Sequence, residues 1–99
     1  MIIVDGGFNR GTDIVKAIAL GAHLVGLGRM QCYGLAAAGQ AGIVRMLEIM
    51  EDEVTRALGL LGVTSYAKLD RTYVAPAAPA NAPHVFSAFP LWEHTPYRY

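Results

Sequence analysis

The residues best suited to chemistry follow two short apolar runs. Residues 1–4 lead into an Asp-Gly-Gly sequence at 5–7, and residues 23–27 lead into Gly28 and Arg29. Glycine leaves the backbone N–H groups bare and lets another group approach closely. A guanidinium matches phosphate oxygens with two parallel hydrogen bonds. The two segments together therefore indicate an anion site, and a phosphate is the anion that fits it.

A short helix predicted over residues 30–38 strengthens this interpretation, because its positive N-terminus would face the same anion. In (β/α)8 barrels, the loops after the last two strands and the N-terminus of a short extra helix often bind a phosphate. The same pieces occur here in that order. The alternative is that the glycines are ordinary turns and that Arg29 is a surface residue, and the residues alone leave both interpretations open.

The elements that must position these residues form a strand–helix–strand unit. The intervening helix begins near Thr12, a candidate N-cap, with Asp13 at the positive end of the helix dipole, and ends at Gly21. Two apolar strands joined by a helix predict a parallel pair with a right-handed crossover. An all-apolar run such as residues 1–4 is typical of a strand buried on both faces.

Two further helices are predicted, at 30–38 and 41–61, with breaks at Gly39 and Gly42 and one more short turn capped by Thr64 or Ser65. The long helix has an apolar stripe for the core, formed by Ile43, Met46, Leu47, Met50, Val54, Ala57, Leu58 and Leu61. Acidic residues between 48 and 53 are predicted to lie on its solvated face, where Asp52 and Arg56 form an i,i+4 pair.

Composition excludes several function classes. The 99 residues carry eight Lys and Arg against eight Asp and Glu, so the basic excess of a sequence-independent nucleic-acid binder is absent. One cysteine, Cys32, provides neither an internal disulfide nor a Cys/His metal site. The longest apolar stretch, 17–28, is shorter than a membrane span, and the first residues show no signal peptide. We therefore expect a cytoplasmic protein.

The chain divides by composition into residues 1–70 and 71–99. Residues 74–83 are mostly Ala and Pro, as in an extended linker, and the aromatic tail at 85–99 is expected to pack against something. Two parallel strands do not make a stable sheet. The chain is therefore expected to be the end of a larger barrel or doubly wound sheet, or to complete a partner chain.

The sequence resembles the C-terminal end of the FMN-dependent α-hydroxy-acid dehydrogenases and oxidases, the family of glycolate oxidase, lactate oxidase and mandelate dehydrogenase. The resemblance covers about residues 2–69 and is carried by DGGFNRGTDIVKAIALGAHLVGLGR and YGLAAAGQAGIVRMLEIMEDEVTRALGLLG. It implies an α/β fold, namely the last two βα units of a TIM (β/α)8 barrel with a short extra phosphate-site helix, incomplete on its own.

The resemblance also implies the cofactor, FMN, and the residues that hold its phosphate and ribityl groups: Asp5, Gly6, Gly7, Phe8, Asn9, Gly28 and Arg29. Asp5 is then the acceptor for ribityl hydroxyls. Gly7 and Gly28 are backbone donors to the phosphate, and Arg29 is its cationic clamp. One departure stands out: the family often has two basic residues where this chain has Asn9 and Arg10, so an amide replaces one cation.

The resemblance implies no catalytic residue in this chain. The family's histidine base and substrate-binding arginine lie on an earlier segment, and His23, His84 and His94 occur in other contexts. The whole enzyme, expected to be a homo-oligomer, would oxidise a small 2-hydroxy acid to a 2-oxo acid, with the rest of the barrel on a missing segment or a partner chain. The alternatives are a noncatalytic split fragment that complements a partner, or another FMN- or phosphate-binding barrel, which the YGLA stretch disfavours.

Other residues have simpler structural interpretations. His23 is expected to be a structural histidine at a strand start, and Cys32 a buried, inert thiol. Met46 and Met50 are expected to pack in the core, and Lys16 to lie exposed. The tail tyrosines, together with Arg98, are expected to serve packing.

Overall fold

The computed structural model describes residues 1–78, so half of the predicted Ala/Pro linker (79–83) and the aromatic tail with His84 and His94 lie outside the described residues. Two strands and two helices alternate, followed by two short 3-10 turns: β1 (Ile3–Asp5), α1 (Gly11–Ala19), β2 (Leu24–Gly26), α2 (Arg29–Leu61), and the turns Tyr66–Lys68 and Arg71–Tyr73. This order confirms the predicted strand–helix–strand unit.

β1 and β2 form a parallel pair in which Ile3, Val4 and Asp5 lie opposite Leu24, Val25 and Gly26. The prediction that the first strand is buried on both faces is wrong for this structure, since Ile3 is 61% exposed. Burial on both faces requires further strands and covering helices. Within residues 1–78 there are only two strands, and α1 packs mainly along α2.

α1 begins at Gly11 with Arg10 as its N-cap, two residues earlier than the predicted N-cap at Thr12. The reason is Asp13, whose Oδ2 accepts the backbone N–H groups of Asn9 and Arg10, each at 3.1 Å. α1 ends at Ala19 with Leu20 as its C-cap, and Gly21, the predicted helix terminator, follows with a φ of 107°. The amides of Gly21 and Ala22 donate to the carbonyls of residues 18 and 17, which is a Schellman arrangement.

α2 contains both helices predicted at 30–38 and 41–61, joined at a sharp bend. Ala38 (φ −156°, ψ 29°) and Gly39 (φ 60°, ψ −138°) leave helical geometry there. The bend brings the backbones of Gly34 and Gly42 together: a Cβ at position 34 would lie 2.8 Å from the carbonyl oxygen of Gly42, and one at 42 would collide with the carbonyl of Gly34. Gly42 is therefore a contact point rather than the predicted break.

The bend divides α2 into a first limb before residue 38 and a second limb after residue 39. The core lies between α1 and the second limb, and residues 63–74 close it. Its buried side chains are those of Val15, Ala19, Val54, Val63 and Leu69. Val74, predicted to begin the linker, packs against this cluster. Capping of the last turn by Thr64 or Ser65 is not observed: Ser65 occupies the N-cap position without a side-chain hydrogen bond, and Thr64 Oγ1 accepts from Lys68 Nζ at 2.9 Å.

The apolar stripe of α2 is only partly buried. Met46 and Met50 are buried, as predicted. Leu47 and Leu61 are 50% and 39% exposed, contrary to the prediction. α1 has only nine residues and covers a narrow face of α2. Apolar side chains at the margins of that face therefore stay exposed within the described part of the chain.

Candidate functional site

The carboxyl ends of β1 and β2 meet at one edge, because the strands are parallel and Asp5 lies opposite Gly26. The two segments predicted to bind phosphate both leave from this edge. Residues 6–10 connect β1 to α1, and residues 27–28 connect β2 directly to α2. The edge thus brings the two glycine-bearing segments together.

Gly6 and Gly7 both have left-handed backbone conformations, with φ values of 100° and 81°. Two consecutive residues with positive φ are strongly unfavourable for side chains with a Cβ, so glycine is required at this turn. Nothing lies within 4 Å of a Cβ placed on Gly6. Gly6 and Gly7 are both exposed, so the backbone of the turn is accessible at the strand edge.

Asp5 sits across the strand pair from Gly26 at close range. A Cβ on Gly26 would lie 2.8 Å from Asp5 Oδ1, closer than side-chain atoms normally approach. Glycine at position 26 therefore makes room for this carboxylate. Asp5 is exposed and forms no ion pair within residues 1–78, so its oxygens remain available as acceptors.

The N-terminus of α2 carries a net positive character. Gly28 is its N-cap, with open space where a Cβ would stand, and Arg29 is its first residue. No acidic residue lies in the first turn, and Arg29 is exposed without an ion pair among the described residues. Bare N–H groups, the helix dipole and a guanidinium therefore all favour an anion here.

The N-terminus of α1 is occupied by the protein's own carboxylates. Asp13 accepts from Asn9 and Arg10, while Glu53 Oε2 accepts the Gly11 N–H at 2.6 Å and Glu53 Oε1 accepts from Arg10 Nε at 2.9 Å. These contacts use the amides of three consecutive residues. Arg10, the cation next to Asn9, is paired with Glu53, and Phe8 is half-buried.

The prediction that all acidic residues between 48 and 53 face solvent is wrong for Glu53, whose side chain is 24% exposed. The others behave as expected, since Asp52 pairs with Arg56 at 2.7 Å and Glu48 with Arg45 at 2.9 Å on the helix surface. Helical spacing alone does not separate Glu53 from its neighbours. Its distinguishing contact is with Gly11, which is far away in sequence.

His23 has a structural role, as predicted: its Nδ1 accepts the backbone N–H of Ile2 at 3.0 Å, next to the strand pairing. Cys32 is exposed, which contradicts the predicted buried thiol. Met30, Tyr33, Gly34 and Ala37 form the face of α2 that turns toward its second limb, and position 32 lies off that face. Lys16 is exposed, as expected.

Within residues 1–78 there is no group of three or more His, Cys, Asp or Glu side chains that could hold a metal ion. In the same part of the chain, no helix is both long and apolar enough to cross a membrane.

Residues 1–76 match the model of a protein family described as FMN-dependent dehydrogenase. The chain belongs to this family. The match confirms the resemblance inferred from the DGG and YGLA segments, and it also confirms FMN as the family's cofactor.

Similar proteins include oxidases and dehydrogenases of several hydroxy acids. L-lactate dehydrogenase (cytochrome) of Saccharomyces cerevisiae is 48% identical over 68 residues, which are 69% of this chain and 12% of that protein. Glycolate oxidase 3 of Arabidopsis thaliana is 40% identical over 87 residues, which are 88% of this chain and 23% of that protein. This chain therefore spans less than a quarter of the length of either relative.

A solved structure described as the monotopic membrane protein (S)-mandelate dehydrogenase superposes with a TM-score of 0.70 at 44% identity, over 72% of this chain and 19% of that one. A flavocytochrome b2 variant with benzoylformate superposes with a TM-score of 0.69 at 39% identity, over 80% of this chain and 22% of that one. The α/β arrangement of residues 1–78 is thus found within larger flavoenzyme-family structures.

Two residues that shape the site are not identified by the sequence analysis. The pattern places Gly26 within an apolar run, whereas in the structure its missing side chain makes room for Asp5. The pattern places Glu53 on the solvated face of the long helix. The glycine within the second strand was a usable signal, because glycine inside a strand often marks a close approach. Glu53 had no comparable signal.

Proposed function

We propose that this chain supplies the phosphate and ribityl part of the FMN site of an enzyme that oxidises 2-hydroxy acids to 2-oxo acids. In this proposal β1 and β2 are the last two strands of a (β/α)8 barrel. Residues 1–70 belong to the barrel, and the segment that follows them still packs against its core as far as Val74. The observation that carries the proposal is the juxtaposition, at one strand edge, of a left-handed glycine turn and a helix N-terminus bearing Arg29.

The residues present fit the chemistry of an FMN tail. A phosphate needs N–H donors and a cation, which Gly7, Gly28 and Arg29 supply. Asp5 would repel a phosphate but accepts hydrogen bonds from hydroxyl groups. The phosphate therefore belongs on the Arg29 side and the ribityl hydroxyls on the Asp5 side, while Gly6, Phe8 and Asn9 line the turn between them.

Arg10 does not replace the cation that is missing at position 9 in this arrangement. Its Nε is bound to Glu53, and that carboxylate neutralises its charge locally. Arg29 is then the principal cation for the phosphate among the described residues. Dependence on a single guanidinium makes the proposed site sensitive to its removal.

FMN, when bound, accepts the two electrons that the 2-hydroxy acid loses as it becomes a 2-oxo acid. In this proposal the described residues bind and orient the flavin, and His23, whose Nδ1 accepts the Ile2 N–H, serves the fold rather than the substrate. We propose that a histidine base and a substrate-binding arginine are contributed by the rest of the barrel, from another segment or partner chain, in a homo-oligomeric enzyme.

One observation favours a second function, a noncatalytic structural complement to a partner chain. β1 and β2 expose apolar residues, among them Ile3 and Leu24, and within residues 1–78 their outer edges pair with no further strand. Exposed edges of this kind pair with additional strands. The complement and the enzyme part share one assembled form and differ in whether that form oxidises a 2-hydroxy acid.

The test compares FMN with riboflavin, which lacks the phosphate, in the assembled protein that carries these residues. Apo-protein is titrated with each flavin, and the fluorescence of the flavin is followed. FMN should bind at least about 100-fold more tightly, since a charge-assisted phosphate contact contributes about 1.5–3 kcal/mol and several are made. Equal affinities would contradict the proposal. Turnover of lactate, glycolate or mandelate then separates the enzyme from a flavin-binding complement.

A further inference from the structure

The connection between β1 and α1 is fixed at both ends but not in the middle. At one end, Asp5 is paired in register with Gly26. At the other end, Gly11 lies against the backbone of α2: a Cβ on Gly11 would stand 2.5 Å from Glu53 Cβ and 2.7 Å from the Val54 nitrogen. Between these anchors lie Gly6 and Gly7, which have the widest backbone freedom of any residue type.

Glu53 stabilises the contact between Gly11 and α2. Its two oxygens accept from different donors of the connection, the Gly11 amide at 2.6 Å and Arg10 Nε at 2.9 Å. The Gly11 contact is partly buried, so removing the acceptor leaves an amide poorly solvated. Among the ion pairs of the described residues, only the Arg10–Glu53 pair joins positions distant in sequence. Each of the other three pairs lies within a single helix, one in α1 and two in α2.

We propose that Glu53 is a positioning residue for the phosphate-binding turn. By holding Gly11 and Arg10 against α2, it fixes where residues 6–9 run and therefore where the Gly7 amide points. Arg10 serves as a tether rather than as a phosphate ligand. This inference rests on the proposed FMN site and extends it to a side chain that touches neither phosphate nor flavin.

Asp13 alone does not account for this positioning. It caps α1 from within the same helix, so it fixes the turn relative to α1 but not relative to α2. The phosphate contacts proposed for Gly28 and Arg29 belong to α2. Glu53 lies on α2 after the bend, and the backbone contact between Gly34 and Gly42 holds that part of α2 against the part that begins with Gly28 and Arg29. Glu53 therefore ties the phosphate-binding turn to the same helix pair that carries the other half of the site.

The experiment measures FMN and riboflavin affinities of the assembled protein carrying Glu53→Gln. The neutral amide keeps one acceptor oxygen and loses the charge that holds Arg10. We expect FMN affinity to fall about five- to tenfold and riboflavin affinity to change less than about twofold, because only FMN uses the phosphate turn. Glu48→Gln is the matched control: it also loses a carboxylate 2.9 Å from an arginine, but on the α2 surface.

The FMN and riboflavin affinities of the Glu53→Gln protein distinguish a positioning role from a merely structural one. A selective loss of FMN affinity in Glu53→Gln supports the positioning role. An equal loss for both flavins, or no loss, overturns it, because a merely structural carboxylate would affect both alike. If the wild type itself does not prefer FMN, the proposed function fails and this inference fails with it. Should Glu53→Gln not fold, Glu53→Asp, which keeps the charge but shortens the reach, is scored by the same ratio of affinities.

Discussion

The two helices of this chain begin in opposite electrostatic surroundings. At the start of α1, the carboxylates of Asp13 and Glu53 accept the backbone amides of residues 9, 10 and 11. At the start of α2, no acidic residue is present and Arg29 adds a further positive charge. Both N-termini have the same dipole, yet only the second is left for an external anion. A helix N-terminus therefore becomes a candidate site through what its neighbours leave unsatisfied.

The largest expected effect is on the glycine turn that faces the open N-terminus. Gly7→Val should abolish FMN binding in the assembled protein. A β-branched side chain strains a φ of 81° and stands where the backbone must approach the phosphate. Flavin fluorescence titration of the apo-protein measures the loss.

Gly21→Val is the matched control for Gly7→Val. Gly21 has a φ of 107° at the far end of α1, so the variant carries similar backbone strain away from the strand edge. Its melting temperature should fall while FMN binding survives below the melt. If both variants lose FMN equally, strain rather than phosphate contact explains the effect.

The next largest effect on FMN affinity is expected for Arg29, the cation at the N-terminus of α2. Arg29→Ala should weaken FMN binding by about 10- to 150-fold, which corresponds to the roughly 1.5–3 kcal/mol of a charge-assisted contact. The same titration measures it. Arg45→Ala, on the polar side of α2, should stay within about twofold. FMN affinity equal to wild type in a folded Arg29→Ala protein would refute the assignment of the α2 N-terminus.

A smaller effect is expected at the occupied N-terminus. Asp13→Asn removes the charge that caps α1 and should lower the free energy of unfolding by about 1 kcal/mol. FMN affinity should change by less than about threefold, because α1 is not the anion site. Urea denaturation gives the first quantity and flavin titration the second. Tighter FMN binding by the Asp13→Asn protein would show that α1 competes for the phosphate.

The smallest effect concerns Asp70, the N-cap residue of the 3-10 turn Arg71–Tyr73. Asp70 Oδ1 accepts from Thr72 Oγ1 at 2.5 Å and from the Thr72 amide at 2.8 Å, and these hydrogen bonds lower the pKa of the Asp70 carboxyl. A lowered folded-state pKa means that the contribution to stability is present above the unfolded-state pKa. It is lost as the pH falls through the folded-state value.

Titration of the Asp70 carboxyl by NMR should therefore show a midpoint below the ordinary value for aspartate. Thr72→Val removes the hydroxyl, which is the larger cause, and should raise the midpoint toward that ordinary value. An unchanged midpoint in the Thr72→Val protein would assign the lowered pKa to the backbone amide alone.

The sequence predicted the elements and their order because local signals agreed. Glycines at 21 and 39 marked a real helix end and a real bend, and the spacing of Met46, Met50 and Val54 identified the buried side of α2. These features depend on residues close in sequence. They were accessible without knowledge of the tertiary structure.

The failures share a different origin. Exposure of Ile3 and Leu47 depends on which elements are present to cover them, which no local pattern specifies. The pairing of Glu53 with Gly11 joins positions 42 residues apart. For the site, the sequence found the glycines and Arg29 at the strand edge, but it did not reveal that the other helix start is already occupied.

The bend in α2 has a mechanical consequence. Ten residues separate Gly39 from Arg29, so the first limb of α2 is an arm about 15 Å long at 1.5 Å per residue. A tilt of about 10° at the pivot displaces the tip of such an arm by roughly 2.5 Å, more than the tolerance of a hydrogen bond. The backbone contact between Gly34 and Gly42 sits beside that pivot and limits the tilt. A methyl group added at this contact would tilt the first limb, and the resulting displacement would be largest at its tip, where Arg29 lies.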